Sequence, residues 1–375
     1  MRGIRTRITR PWSRLASGAM RRSVGVAVAL AVHWTAADNA MALPRYTARY
    51  GQDCRLCHVN PTGGGLRNAY ATQYLVPTEL AGGTTKPAAG DGAGAALPVD
   101  VTVGADLRTL AWAQEGGPSM LLAMQGDVYV GLAAPGNIEI YAEMGPHEAE
   151  AFGLAYGLIP HGYLKAGRFT PDYGWRFDDH RQFSRRFLFT PDGIDDPHAL
   201  LGEGVEAGYA LGGLSATASM VQGGAEIGDA WVARALMRRE LGAVRLGAGS
   251  SVWQRGVGAG ARRAGGVFWY ASAGPWTWLG EVDETRGDNR TGRLVTHEVT
   301  LDVQRGLALR AVYGFQDPDR ALRSGARYRV GAGVAWFARP GLGLQAMANH
   351  WRVDRGDDVA DNTHNDAELV VHFLY

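Results

Sequence analysis

From Val99 to Tyr375 apolar and polar positions alternate with a period of two. Ile138, Ile140, Ala142 and Met144 alternate with Glu139, Tyr141 and Glu143. Met120, Leu122, Met124, Val128, Val130 and Leu132 alternate with Gln125, Asp127 and Tyr129. Val295, Val299, Leu301 and Val303 stand against Glu298, Thr300, Asp302 and Gln304, and Tyr328, Val330, Ala332, Val334 and Trp336 against Arg327, Arg329 and Gly331. Successive side chains of a strand point to opposite faces, so each segment has one dry face and one wet face. The pattern predicts about 16 strands, at 99–111, 120–133, 137–144, 151–158, 162–169, 202–211, 213–222, 229–239, 242–254, 258–272, 276–285, 293–305, 306–316, 325–337, 341–353 and 365–375.

The connections separate the possible architectures. Short turns (Ala134-Pro135-Gly136, Ile159-Pro160-His161, Gly212, Glu240-Leu241, Pro275, Arg305–Gly306, Ala338-Arg339-Pro340) alternate with long loops (112–119, 170–201, 223–228, 286–292, 316–324, 354–365). An even strand number, short turns on one rim and long loops on the other predict an all-β fold, an antiparallel outer-membrane β-barrel. Closure removes the edge strands and pairs every backbone group in lipid. A soluble sandwich or repeat gives no reason for loop lengths to alternate. Leu369, Val371, Phe373 and Tyr375 share one face and the chain stops on an aromatic residue, which resembles the terminal strand of outer-membrane proteins. Trp276, Trp278 and Trp336 fall near strand ends on the outward parity, where an aromatic girdle belongs.

Upstream of the barrel the alternation is absent. Residues 1–42 read as a secretory leader: seven arginines, an apolar core Ser23 to Val32 and an Ala40-Met41-Ala42 cleavage site, with Met20 as a second possible start. About ten apolar residues do not span a bilayer. Residues 43–80 form a short segment with a helix expected over Leu66 to Tyr74, and 81–98 (AGGTTKPAAGDGAGAALP) is a Gly/Ala/Pro linker. The leader holds 7 of the 38 Lys and Arg and 1 of the 37 Asp and Glu, which leaves 31 basic against 36 acidic residues in the mature chain. That acidic balance gives no support to nucleic-acid binding. Lysine occurs only as Lys86 and Lys165, a scarcity attributable to base composition.

The short segment carries Cys54-Arg55-Leu56-Cys57-His58, which contains the only two cysteines of the 375 residues. Two thiols two residues apart followed by a histidine form the attachment pattern of c-type haem. Each thiol adds to one vinyl group, and the adjacent imidazole ligates the iron. Export fits this reading, because such haem is attached outside the cytoplasm. A redox pair or a local disulfide is the alternative use of the same thiols. Val59-Asn60-Pro61-Thr62-Gly63-Gly64-Gly65 follows as a run of turn formers. A segment of 38 residues is too small to enclose a haem with a core of its own, so the barrel is expected to complete the pocket.

Parity points Asp100, Asp106, Asp127, Glu139, Glu143, Glu281, Asp283, Glu298, Asp302 and Glu368 into the lumen, together with Arg108, Arg234, Arg238, Arg245, Arg310, Arg327 and Arg329. Ion pairs bracing the wall are the simplest reading, and the acidic excess favours cations. The loop 170–201 is long enough to fold into the barrel mouth. Asp354, Asp357, Asp358, Asp361, His364 and Asp366 in the last long loop suit transient binding of a divalent metal such as Fe(II), or are a solvated acidic loop. Residues 43–98 offer no methionine and no histidine beyond His58 as a sixth haem ligand. His372, inward and near the short-turn rim, is the first candidate, and His161 in a short turn is the second. Met347 is inward but mid-wall, and His297 and His350 lie on the lipid parity.

A leader, one CxxCH near the mature N-terminus, a linker and a barrel of about 16 strands together resemble the fused monohaem cytochrome–porins of iron-oxidising bacteria. The sequence likeness is confined to Pro44-Arg45-Tyr46 and Cys54 to Asn68, and the NPTGGG after the haem motif departs from the iron oxidases. The resemblance implies one covalent haem c on Cys54, Cys57 and His58, in an electron carrier of the bacterial outer membrane with its haem segment on the periplasmic side or in the lumen. Electrons would pass between an extracellular metal ion or small redox donor, Fe(II) in the iron oxidases, and a periplasmic cytochrome. Outward transfer to an extracellular acceptor, and a diffusion porin with a haem-containing plug or sensor, are the competing functions.

Overall fold

The computed structural model describes residues 44–83, 100–146, 149–177, 179, 181–186, 188, 200–222, 229–256, 260–287, 289–322, 325–356 and 362–374. The leader 1–42 and nearly all of the linker lie outside them. The barrel strands are β1 (Asp100–Gln114), β2 (Ser119–Ala134), β3 (Ile138–Met144), β4 (Ala149–Tyr156), β5 (Gly162–Phe169), β6 (Gly202–Leu211), β7 (Leu214–Gln222), β8 (Asp229–Leu241), β9 (Val244–Arg255), β10 (Arg262–Ala273), β11 (Trp276–Gly287), β12 (Arg290–Gln304), β13 (Leu307–Asp317), β14 (Arg327–Arg339), β15 (Leu342–Val353) and β16 (Asn362–Leu374). Each strand pairs antiparallel with its neighbours in sequence, and β1 pairs with β16 to close the ring. All sixteen expected strands are present. Several run further toward the long loops than the alternation indicates, as β12 does from Arg290 and β16 from Asn362, because backbone pairing continues after the outer face ceases to be apolar.

The two faces divide as the parity requires. Val101, Val103, Ile138, Ile140, Val205, Val267 and Val330 are exposed on the outside, with Trp276, Trp278 and Trp336 among them near strand ends. Asp106, Asp127, Glu143, Glu281, Asp283, Glu298 and Glu368 are buried in the lumen. No described helix is long and apolar enough to cross a membrane, so the strands alone present a lipid-facing surface.

The lumen is occupied from both ends. On the short-turn side the chain from Pro44 to Gly83 lies against the wall: a helix Pro44–Tyr50, one 3-10 turn Cys54–Leu56 and a wide π-type helix Ala71–Leu80. That last helix corrects the expected Leu66–Tyr74 helix. Leu66 and Arg67 are extended, and Arg67 bridges back to His58. Gly82 and Gly83 donate to the carbonyls of Phe337 and Ala338 at 2.9 Å, so the first residues of the linker are pinned to the rim. Gly306 makes this approach possible: its φ is +79°, and a Cβ there would stand 2.5 Å from the Gly82 nitrogen. From the other end, the described part of the loop after β5 folds inward. It buries Tyr173, Trp175, Phe177 and Phe183 and packs its helical turn Phe183–Arg186 on β12 and β13.

Ion pairs hold both inserts. Arg329 donates to Asp179 of the loop at 2.6 Å and to Glu368 at 3.2 Å, and Arg181 of the loop pairs with Asp366 at 2.5 Å and Glu368 at 3.1 Å. Arg310 pairs with Glu298 at 2.6 Å within the wall. Lys165, whose scarcity in the sequence suggested no role, is fully buried. It pairs with Glu206 at 2.7 Å and lies 4.3 Å from the centre of the Phe169 ring. These contacts bear out the bracing reading of the lumen charges.

Replacing Val267, half-exposed near the middle of β10, by arginine places a charge in the apolar band. The folded barrel should lose about 2–4 kcal/mol, read by denaturant unfolding in lipid vesicles, whereas arginine at the rim position Leu241 should cost at most about 1 kcal/mol.

Candidate functional site

The Cys54–His58 segment is shaped by local hydrogen bonds. Asp53 caps the turn, its carboxylate accepting from the Arg55 amide at 3.1 Å. The amides of Cys57 and His58 both donate to the Cys54 carbonyl, at 3.1 and 2.9 Å. That one tight turn brings the two thiols and the imidazole to the same side of the chain. Asn68 closes the segment from behind: its side-chain amide donates to the carbonyls of Arg55 and Leu56, and its carbonyl oxygen Oδ1 accepts from the Ala71 amide.

Between His58 and Arg67 the chain makes a hairpin around Asn60-Pro61-Thr62-Gly63-Gly64-Gly65. The Val59 amide donates to the Leu66 carbonyl at 3.0 Å. The three glycines have φ of +90°, +82° and +59°, a region where a side chain is strained. Space excludes one as well. A Cβ on Gly63 would stand 3.1 Å from the Cys54 sulfur, and one on Gly65 1.8 Å from the Tyr141 hydroxyl. The sequence marked this run only as turn formers. Its triple glycine answers to close approach on three sides.

The barrel wall anchors the hairpin. Arg67 lies 3.6 Å from Asp106, Leu66 donates its amide to the Tyr141 hydroxyl at 3.4 Å, and Lys165 reaches Thr62 at 3.5 Å. Arg176 of the inward loop donates to the Gly63 carbonyl at 2.6 Å. The wall residues of these contacts lie three to six residues in from the short-turn ends of β1, β3 and β5, and Asp106 pairs with Leu374, the last described residue of β16. Cys54, Cys57 and His58 thus share one cavity with the barrel wall and the inward loop.

Together these elements wall a cavity of about 1060 Å³, open mouth included. Cys54, Cys57 and His58 line one side with Tyr46, Tyr50 and Leu56, and the barrel and loop supply Tyr163, Tyr209, Leu236 and Trp175. Asp172, Arg176, Arg234 and Arg238 add a few polar groups, Arg234 pairing with Asp172 at 3.2 Å. Mostly apolar walls with few polar groups are the ordinary lining of a cofactor site. His58 is buried, and neither ring nitrogen reaches hydrogen-bond geometry with a protein atom, although the Gly64 and Gly65 backbone lies close by. Burial, reinforced by the Arg67 charge, lowers its pKa to about 3, so the ring is a neutral imidazole with a lone pair to give. Both thiols are free, and burial raises Cys54 to about 11 and Cys57 to about 12. The donor set therefore fits the group its spacing implies: two adjacent thiols, one neutral imidazole and a largely apolar cavity with an open mouth.

The other candidates are placed differently. His372 is buried in β16, where Arg108 lies 3.2 Å from its ring nitrogens and Asp106 3.6 Å away. It lines a separate cavity with Arg108, Asp179 and Glu368. His161 sits at the short-turn rim with φ +59°, its ring edge-on to Tyr209 at 6.4 Å, and Tyr209 lines the cavity of Cys54 and Cys57. Met347 is buried, and His297 packs outside among Trp269, Trp278 and Tyr313. In the last long loop Asp357, Asp358 and Asp361 lie outside the described residues. His364 stacks on Trp351 and Asp366 is bound to Arg181, so among the described residues no three metal-ligating groups gather.

No family model and no curated protein matches the chain in sequence. Solved structures match its fold. An anion-selective porin from Comamonas acidovorans aligns at a TM-score of 0.55 and 12% identity, over 74% of this chain and all of its own. The outer-membrane protein OmpT of Vibrio cholerae aligns at 0.55 and 11%, over 75% of this chain and 99% of its own. The chain has the porin fold of outer-membrane barrels, and the covered share is about that of β1 to β16 with their connections.

Two outcomes follow for this site. In haem-free protein the raised thiol pKa values keep both sulfurs protonated and unreactive at neutral pH, so iodoacetamide should label Cys54 and Cys57 appreciably only as pH rises past about 10, against about 8.5 for a free cysteine. Gly65→Ala should loosen the hairpin and expose the 58–67 segment to limited proteolysis, with the barrel's own unfolding curve nearly unchanged.

Proposed function

We propose that this chain is an outer-membrane monohaem cytochrome-porin that passes single electrons between an extracellular donor and a periplasmic electron carrier. The observation that carries the proposal is the shared cavity: a CxxCH turn supplies two thiols and a free imidazole on one side, and the barrel wall and inward loop supply the other.

Cys54 and Cys57 would hold the group through thioether bonds, and His58 would ligate its iron. The Gly64 and Gly65 backbone beside the imidazole is placed to accept its second N–H and fix the ring, as partners of metal-bound histidines do. When bound, the haem supplies one-electron chemistry, its iron alternating between ferrous and ferric. The rest is the work of the protein. Asp53 and Asn68 preset the turn. Trp175, Tyr163 and Tyr209 form the wall opposite the thiols. Arg67 and Lys165 fix the segment against the barrel wall. The acidic lumen favours a cationic donor such as Fe(II), which would give up one electron and leave as Fe(III). For the sixth position His161 comes before His372, because its neighbour Tyr209 lines this cavity whereas His372 lines another.

A diffusion porin with a haem-containing plug is favoured by one observation, the likeness to porin barrels. Against it stand the two braced inserts in the lumen. Purified protein should show a c-type spectrum that Cys54→Ser/Cys57→Ser abolishes, and Fe(II) added to the ferric protein should reduce the haem. In a planar bilayer it should conduct at least tenfold less than an unplugged barrel. Failure of reduction by Fe(II) and by other small donors, with porin-like conductance, would replace electron transfer by diffusion. His161→Ala should turn a low-spin spectrum high-spin, and His372→Ala should not.

A further inference from the structure

The cavity of Cys54, Cys57 and His58 carries more positive charge than its own walls neutralise. Four arginines line it, Arg55, Arg176, Arg234 and Arg238, against two carboxylates, Asp53 and Asp172. Three of the four are matched. Arg55 binds Asp53 through Nε and Nη2, at 3.4 and 3.0 Å. Arg234 donates to Asp172 at 3.2 Å and to the Gly174 carbonyl at 3.1 Å. Arg176 donates to the Gly63 carbonyl at 2.6 Å and lies 4.0 Å from Glu150, a carboxylate outside the lining. One positive charge is left over, and it is that of Arg238.

Arg238 stands on β8 with its side chain 9% exposed. Its Nη1 makes one long hydrogen bond, 3.4 Å to the Ser215 hydroxyl. Its Nη2 is 3.9 Å from Oδ2 of Asp53, which already accepts from Arg55. Glu240, two residues further along the strand, is taken by Arg245 at 3.0 Å. Among the described residues neither Nε nor Nη2 of Arg238 has an acceptor within hydrogen-bond reach, and neither atom is closed to solvent. Nε and Nη2 share one edge of the guanidinium, and that edge matches the two oxygens of a carboxylate. A largely buried cation whose donor edge is open gains when an anion meets it.

We infer that the open edge of Arg238 seats a carboxylate within this cavity, and that the carboxylate is one of those carried by the haem on Cys54, Cys57 and His58. The inference rests on the function proposed above. A haem bears two carboxylates on the side away from the vinyl groups that the thiols take, and a two-point donor fits either. Arg238 is then a positioning residue. It fixes how the group lies against the wall, and its charge favours the ferrous over the ferric iron.

The test uses the full-length haem-loaded protein in detergent and compares Arg238→Gln with Arg238→Lys. Arg239→Gln is the control, because it removes the same charge from the next residue of the strand, whose side chain points to the opposite face. Arg238→Gln should move the carboxylate bending band in the resonance Raman spectrum. It should also shift the ferric–ferrous equilibrium roughly tenfold toward ferric, a fall of about 59 mV in reduction potential. Arg238→Lys, which keeps the charge and loses the fork, should move the band and restore most of the potential. Arg239→Gln should move neither. If Arg238→Gln does not fold, the band in Arg238→Lys decides. Wild type with a c-type spectrum and a band unmoved in the Arg238 variants overturns this inference and leaves electron transfer standing. Wild type without covalent haem overturns both.

Discussion

A backbone in hydrocarbon has no water to pair with, so every strand N–H and C=O must find another strand. In this chain the demand is met by closing β16 onto β1, with Arg108 opposite His372 and Asp106 opposite Leu374 in the register. Closure has two consequences. It turns every second side chain outward to lipid, and it encloses a space that sixteen strands' own side chains do not fill. The rest of the structure is a response to that enclosed space.

Two parts of the chain fill it, and charge holds both. The inward loop crosses to the far wall through Arg329, Asp179, Arg181 and Asp366. The N-terminal segment is held through Arg67 and Asp106, through Arg49 and Asp302, and through Arg245, which donates to the Arg49 carbonyl at 2.8 Å. A pair buried out of water is worth little against an apolar alternative, but breaking one partner is expensive. Such pairs act as registry devices: they fix where an insert sits more than how tightly the barrel holds together. The two inserts meet where Arg176 of the loop donates to the Gly63 carbonyl of the hairpin. The same contact joins the two halves of the cavity wall. A segment too small for a core of its own has borrowed the barrel as the rest of it.

Reading of the sequence reached far for the barrel and stopped short at the cavity. Strand parity is a local property, so Glu143, Glu281 and Glu368 could be placed inward one strand at a time. Cys54, Cys57 and His58 stood out by their fixed local spacing, and they line one cavity. Tyr141, Tyr209, Arg176 and Arg234 carried no such signal. Each looks like one more polar residue in a wet wall until the hairpin and the loop are brought against it. Lys165 was passed over for the same reason, and becomes a buried brace only when Thr62 and Glu206 are set beside it. The triple glycine was visible, but its cause, the nearness of Cys54 and Tyr141, was not.

By itself the sequence determined the strand number, the two faces, the order of short and long connections and the CxxCH spacing of Cys54, Cys57 and His58. Each of these depends on neighbours within a few positions along the chain: a period of two, a turn, a two-residue spacer. The tertiary structure alone decided which wall completes the cavity of the CxxCH turn and that His372 lines a different cavity. Those depend on contacts between residues dozens to hundreds of positions apart, whose meeting is set by ring closure and by which inserts the lumen accepts, and no local pattern records them.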